Sequence, residues 1–145
     1  MIRKLVNSEN SLLHHKIKSC GVNLDRHFLA KTLIENMLHH NGVGLSANQI
    51  GIDERAFVMV RDVENNEILV CFNPKIIKSY SEEVEFEEGC LSYPDVFLNI
   101  SRPDKIVIKY EDADKKEHKM KLQGFASRVF QHELDHLDGI DFTER

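Results

Sequence analysis

The sequence predicts a single α+β domain in which antiparallel β-strands pack around a central metal-binding helix near the C-terminus. Three patterns predict it: an amphipathic helix near the N-terminus, β-prone runs that pair as hairpins, and a second helical pattern close to the end of the chain. This order differs from the strict alternation of a parallel doubly wound sheet. With 145 residues, 41% of them hydrophobic, residues 1–145 have the length of one domain with one core.

The N-terminal helix is predicted to begin at Asn23 or Asp25, either of which can cap it, and to stop at Asn41. Its apolar residues recur at helical spacing, which makes the helix amphipathic: Phe28, Leu29, Leu33, Ile34, Met37 and Leu38. The following segment, 42–51, contains three glycines and little periodicity. This composition favours a loop whose backbone approaches something closely.

Two antiparallel hairpins are predicted in the middle of the chain. Residues 56–60 and 68–72 are β-prone runs on either side of a polar turn, and residues 106–110 and 118–122 flank a charged turn. A second helix is predicted to begin near Gly124. Its apolar residues form one stripe for the core and another for a site, with Ala126, Phe130, Leu134 and Leu137 on the core stripe.

Composition and charge exclude several classes of protein. With 19 Lys+Arg against 24 Asp+Glu and no basic run, the chain carries a net charge of −5, so direct nucleic-acid binding is not expected. No apolar run reaches the ~18 residues of a membrane-spanning helix, and the N-terminus lacks a signal-peptide core. Three cysteines without paired spacing indicate no disulfide framework. These observations favour a cytoplasmic protein without a membrane partner.

The strongest chemical signal is a pair of histidines on the second helix. His132 and His136 are four residues apart, so they project from one face and can bind one metal ion. Glu133 points about 80–100° away and can reach a metal-bound water as a general base. A third ligand is required for a catalytic site, and Cys90, which follows a glycine, is the best candidate.

Three segments, in this order, resemble the peptide deformylase family. They are GVGLSANQ at 42–49, EGCLS at 88–92 and QHELDHLDG at 131–139. With the helix and strands between them, the resemblance covers nearly the whole chain. It implies that the metal ligands are Cys90, His132 and His136, and that Glu133 is the catalytic acid/base. The family resemblance implies Fe²⁺ as the ion in the cell, with Zn²⁺, Ni²⁺ or Co²⁺ as alternatives that the donor set also suits.

The resemblance also implies roles around the metal. Gln49 and the backbone N–H of Leu91 would donate to the developing oxyanion. The peptide backbone would pair with Gly44 and with Glu88–Gly89. An apolar pocket for the methionine side chain would be formed by Val43, Phe125 and Val129, and Arg102 matches an arginine that contacts substrate in some relatives.

Two residues depart from the family pattern. Ser46 stands where alanine is usual, so its hydroxyl needs a hydrogen-bond partner. Arg128 occupies a usually apolar position near the pocket rim. The chain ends at Arg145, soon after His136, which resembles compact members such as those encoded by phages.

The implied partners are N-formyl-methionyl nascent polypeptides. The resemblance also implies action in the cytoplasm of a bacterium or phage-infected host, at the ribosome, and as a monomer. Two other functions stay open. Zinc endopeptidases use the same helix motif, but usually take a histidine or carboxylate as third ligand, which Cys90 disfavours. A catalytically silent domain that binds peptide N-termini would need no base, which Glu133 disfavours.

Overall fold

The structure is a computed structural model that describes every residue from Met1 to Arg145. It confirms an α+β fold. No helix in it has both the length and the apolar character needed to span a membrane. The elements are the helices α1 (Arg26–His39) and α2 (Phe125–Leu137), and the strands β1 (Gly44–Ser46), β2 (Ala56–Asp62), β3 (Glu67–Ser79), β4 (Glu83–Cys90), β5 (Tyr93–Pro103), β6 (Lys105–Glu111) and β7 (Glu117–Gln123).

The strands form two separate antiparallel sheets. Five of them make a sheet in the order β1-β2-β3-β6-β7, and β4 pairs with β5 alone. The two helices cover opposite faces of the larger sheet, as shown by neighbouring strand residues, whose side chains point to opposite faces. On β2, Phe57 belongs to a core cluster with Phe130 of α2, and its neighbour Val58 belongs to a cluster with Leu33 of α1.

Helix α1 begins one residue after Asp25, whose side chain caps it by accepting a hydrogen bond from Phe28 N at 3.0 Å. The predicted helix is therefore confirmed. Its buried apolar face is narrower than predicted, because Phe28 and Leu38 remain 62% and 59% exposed. The fully buried apolar residues of the helix are spaced by four along one side, Leu29, Leu33 and Met37, and Ile34 packs partly buried beside them.

The prediction of a loop for residues 42–51 is wrong for Gly44–Ile50. The predicted close approach of its backbone is confirmed at Gly44, where a Cβ would lie 2.6 Å from Glu133 Oε2. Gly44–Ser46 forms β1, which pairs antiparallel with β2, and Ala47–Ile50 forms a 3₁₀ turn closed by Gly51 at φ 79°. Every residue from Gly44 to Ile50 is buried. A strand this short shows no alternation of its own, and its position depends on a partner strand some distance along the chain.

Both predicted hairpins are confirmed, as the pairs β2–β3 and β6–β7. The β4–β5 hairpin was not predicted. Its register places Glu88 opposite Leu98 and Gly89 opposite Phe97. A Cβ at position 89 would lie 2.8 Å from the Phe97 ring, so glycine leaves the room that this ring occupies.

Helix α2 is the central element, as predicted. Gly124 precedes it with φ 66°, a conformation that favours glycine. Phe130, Leu134 and Leu137 are buried in the core on the sheet side, and Phe130 meets the Phe57 ring edge to face at a centroid distance of 5.1 Å. The opposite side of the helix is left for the histidine stripe.

Replacing the aromatic side chain at the centre of this core tests the packing of α2 on the sheet. Phe130→Ala should lower the free energy of unfolding by about 3–5 kcal/mol, because it leaves a cavity beside Phe57. Phe28→Ala removes the same ring from an exposed position and should change stability by less than about 1 kcal/mol. Urea unfolding of the two variants at equal metal content gives the comparison; similar losses would contradict this core assignment.

Candidate active site

Sulfur and nitrogen donors converge where the end of β4 meets α2. The ligand atoms of Cys90, His132 and His136 lie within 4.8 Å of one another, and Cys90 Sγ is 3.2 Å from His136 Nε2. Burial and the neighbouring His132 lower the pKa of His136 to about 3, which keeps its ring neutral. One cysteine sulfur and two imidazole nitrogens suit a divalent transition metal and leave a coordination position open. The residues present therefore fit a catalytic metal.

The carboxylate of Glu88 orients the first histidine of the pair. Glu88 Oε1 lies 2.9 Å from His132 Nδ1, which leaves Nε2 for a metal. Burial by itself would raise the pKa of Glu88, but hydrogen bonds from His132 and Arg102 outweigh burial and lower that pKa to about 2. Glu88 is thus an ionised group in the wall of the site.

Arg102 does not reach the cavity where substrate contact was expected. Its side chain is 2% exposed, and it donates to Glu88 through Nε at 2.6 Å and Nη2 at 3.0 Å. Its remaining nitrogen, Nη1, donates to Asp135 Oδ2 at 2.8 Å. Arg145 also pairs with Asp135. The expectation of substrate contact is therefore wrong. Arg102 instead holds the carboxylate of Glu88, which in turn orients His132.

Arg128 reaches across from α2 to the β4–β5 hairpin. It pairs with Glu88 and donates to the carbonyl oxygens of Ile100 on β5, at 2.9 Å, and Val84 on β4, at 2.6 Å. Its guanidinium carbon lies 5.8 Å from the centre of the Phe86 ring. Its charge is thereby neutralised, and its side chain fastens the hairpin to the helix.

Glu133 is buried beside the metal ligands without a hydrogen-bond partner for its Oε1 atom. Burial raises the pKa of Glu133 to about 7. Its other oxygen packs against Gly44, where a Cβ would lie only 2.6 Å from Oε2. An unpaired buried oxygen on a wall of the cavity indicates a missing polar partner, such as water or substrate.

The side-chain amide of Gln49 is held in one orientation. Its Oε1 accepts from Ser46 N at 3.0 Å and from Ser46 Oγ at 3.1 Å, so the unusual serine hydroxyl has the partner that it needs. Its Nε2 donates to Ser92 Oγ at 3.0 Å and lies 3.8 Å from Cys90 Sγ. The backbone N–H of Leu91 has no protein acceptor. Gln49 and Leu91, the residues that carry these two N–H groups, both line the cavity beside Cys90.

A cavity of about 630 Å³ opens beside the metal-ligand cluster. It brings together all the predicted site residues except Arg102 and His136, which lie behind its wall. The predicted residues that line it are Val43, Gly44, Gln49, Glu88, Gly89, Cys90, Leu91, Phe125, Val129, His132 and Glu133.

Sequence reasoning missed two aromatic residues at the mouth of this cavity. Phe86 and Phe97 are 64% and 62% exposed and line the cavity from β4 and β5. The period-two pattern of Val84, Phe86 and Glu88 was the available signal, because it indicates a strand with one face toward the site.

Together these features are typical of a metal-dependent hydrolase: a cysteine–histidine cluster, a buried carboxyl group with an unpaired oxygen, and residues with N–H donors around one cavity. The position of Cys90 beside both histidines disfavours the endopeptidase alternative. The unpaired Glu133 disfavours a catalytically silent domain.

Comparison with known proteins gives the family. Residues 2–145 match the family described as polypeptide deformylase. A peptide deformylase of Picosynechococcus sp. is 45% identical over 119 residues, which are 81% of this chain and 64% of that relative. This chain thus aligns with slightly less than two thirds of that relative's length.

Solved structures agree with this assignment. The crystal structure of peptide deformylase from Thermotoga maritima has a TM-score of 0.90 at 37% identity and covers 100% of this chain and 97% of that chain. A Met-Ala-Ser-bound class I type b peptide deformylase from Acinetobacter baumannii has a TM-score of 0.91 at 29% identity, with coverages of 100% and 98%. The chain belongs to the polypeptide deformylase family, whose members are metal-dependent enzymes that remove N-formyl groups from nascent peptides.

The buried ion-pair network should be essential for stability. Arg102→Met leaves Glu88 and Asp135 without their shared partner and should lower the free energy of unfolding by about 3–5 kcal/mol. Arg61→Met breaks an ion pair whose side chains are 38% and 42% exposed, so it should cost less than about 1 kcal/mol. Denaturant unfolding measures the free energy of unfolding of both variants. Equal losses would show that the buried ion pairs stabilise the protein no more than an exposed one does.

Proposed function

We propose that this chain itself removes the formyl group from N-formyl-methionyl nascent polypeptides and releases formate. The observation that carries the proposal is Glu133, a buried carboxyl group with an unpaired oxygen, in the same cavity as the metal-ligand cluster and the Gln49 amide. Amide hydrolysis needs these three parts: a metal site, an acid/base and donors for an oxyanion.

Cys90, His132 and His136 would hold the metal, with Fe²⁺ as the proposed ion in the cell and Zn²⁺, Ni²⁺ or Co²⁺ as ions that the donor set also accepts. A divalent cation supplies Lewis acidity at this position, which makes bound water acidic and polarises a carbonyl group. Glu88 holds His132 in the tautomer that such binding requires.

The protein's own groups handle the protons and the charge. Glu133 takes the proton of the attacking water and later delivers it to the leaving amine nitrogen. Its raised pKa, about 7, suits both roles near neutral pH. Gln49 Nε2 and the Leu91 N–H donate to the oxygen that becomes negative when the formyl carbon is attacked. Since Ser46 fixes Gln49 beforehand, this donor needs no reorientation during the reaction.

Two unpaired strand edges would bind the peptide backbone. β1 is the outer strand of the larger sheet, and β4 has a partner on one side only. Gly44 of β1 and Glu88–Gly89 of β4 both line the cavity. An extended peptide between them would form main-chain hydrogen bonds, which accept almost any sequence.

The side chain of the first residue would enter the apolar part of the cavity, formed by Val43, Phe125 and Val129. Arg128 also lines the cavity, but its ion pair and its carbonyl contacts direct its charge toward the hairpin. Methionine suits this pocket because it is unbranched and apolar. The Met-Ala-Ser ligand of the Acinetobacter relative has the sequence expected of a deformylated product.

We place the reaction in the cytoplasm, on chains leaving the ribosome, with the protein acting as a monomer.

The direct test is formate release from formyl-Met-Ala-Ser. Protein stripped with a chelator should be inactive, and anaerobic reconstitution with Fe²⁺, Ni²⁺ or Co²⁺ should restore activity. Glu133→Ala should retain the metal and the circular dichroism spectrum of the wild type, but lose at least ~100-fold in kcat/KM because it lacks the acid/base. Absence of formate from fully metallated wild type, or cleavage of an internal peptide bond instead, would overturn the proposal.

A second test uses the tight contact between Gly44 and Glu133. Gly44→Ala places a Cβ 2.6 Å from Glu133 Oε2, so the carboxyl group must move and kcat/KM should fall at least ~10-fold while the metal remains bound. Gly21→Ala is the matched control, because its Cβ would meet only a Glu54 oxygen at 3.3 Å, in an exposed part of the chain. If both variants keep wild-type kinetics, Glu133 does not act from the position described.

A further inference from the structure

One part of the larger sheet carries an unexpected concentration of positive charge. Helix α1 covers β1, β2 and the beginning of β3, but the same sheet face remains open to solvent on the rest of β3 and on β6 and β7. Half or fully exposed lysines occupy this open area, called here the lysine face: Lys75, Lys78, Lys105, Lys109, Lys119 and Lys121.

The strand register brings three of these lysines into one row. Lys75 of β3 is the direct partner of Lys109 on β6, and Lys109 is the direct partner of Lys119 on β7. Like charges directly opposite each other destabilise a sheet. One carboxylate relieves the row, since Glu117 lies 2.9 Å from Lys109.

Two of the remaining lysines lie beside an aromatic ring next to this row. The ammonium groups of Lys78 and Lys121 lie 4.6 and 5.4 Å from the centre of the Tyr80 ring. Protection of an exposed sheet edge would explain lysines on β7. It does not explain Lys75 and Lys109, because β3 and β6 lie inside the sheet.

We propose that the lysine face binds the phosphate backbone of RNA. Neighbouring strands are about 4.8 Å apart, so the row spans roughly 10 Å, and its ammonium groups can contact successive phosphates and release their counterions. The whole chain carries a net charge of −5, so the rest of its surface is more negative still and would repel a polyanion. Binding would therefore be confined to this face.

RNA fits the lysine face better than a lipid surface does. Of the large apolar side chains that are strongly exposed, only Ile77 belongs to β3, β6 or β7, so few apolar groups are available for insertion between lipids. The choice of RNA over other polyanions rests on the proposed function, because nascent chains emerge from an RNA-rich particle. The face lies on the opposite side of the sheet from α2, so a bound RNA would leave the catalytic cavity open.

The sequence-based expectation of no nucleic-acid partner depended on the absence of a basic run along the chain. The lysine face is instead assembled from three strands, with its members far apart in sequence. Its charge becomes visible only through the strand register.

The test is fluorescence anisotropy with a labelled oligouridylate of about 20 nucleotides, from about 50 to 200 mM KCl, using metallated full-length protein. The wild type should bind saturably, and K75Q/K109Q/K119Q should bind at least ~10-fold more weakly, with a salt slope lower by about 2. K4Q/K16Q/K18Q removes as much charge from exposed positions elsewhere and should bind like the wild type. The row variant should also unfold at an equal or higher denaturant concentration, since repulsion is relieved.

Three outcomes would overturn the inference: no saturable binding at the lowest salt, equal losses in both triple variants, or binding to vesicles of anionic phospholipid without binding to RNA. Formate release from formyl-Met-Ala-Ser, measured on the same variants, should not change. RNA binding by a protein that releases no formate would refute the proposed function alone, and formate release without RNA binding would refute the lysine-face inference alone.

Discussion

The carboxylate of Glu88 joins the two-stranded sheet to the helix that carries both histidines. It accepts hydrogen bonds from Arg102 on β5 and from Arg128 and His132 on α2. A buried charge without such partners would cost several kcal/mol, so hairpin and helix are stable only in the arrangement that provides them. Since Cys90 follows Glu88 by two residues, the same contact brings the thiol close to His136. The arrangement of the proposed metal ligands therefore depends on the ion pairs of Glu88, a residue that is not itself one of those ligands.

Much of the fold follows from local patterns in the sequence. Apolar residues on α2 repeat with the helical period, which separates Phe130 on the core side from His132 on the site side. The hairpins β2–β3 and β6–β7 join β-prone runs through short polar turns, so each can be recognised within a few residues. The proposed metal-binding and acid/base positions on α2 were predicted in the same way, because two histidines and a glutamate have fixed directions on a helix.

The remaining features depend on contacts between distant parts of the chain. β1 is a three-residue strand whose place is set by pairing with β2. A glycine is required at position 44 because the Glu133 side chain, which comes from a distant helix, lies against it. The sequence position of Arg102 suggested substrate contact, but its actual partners Glu88 and Asp135 come from two other elements. Phe28 was predicted on the apolar face of α1 but remains exposed. A helical pattern of apolar residues does not show how wide a part of the helix surface the sheet covers.

The open edges of β1 and β4 have a further consequence for the stability of the cavity walls. Each edge has main-chain groups that no protein strand pairs with, so these segments should open more readily than the interior strands β2 and β3. A peptide bound between them would join the two sheets into one hydrogen-bonded surface. The amide protons of β1 and β4 would then exchange more slowly. These two segments would be most rigid while a peptide is bound, and would loosen again when it leaves.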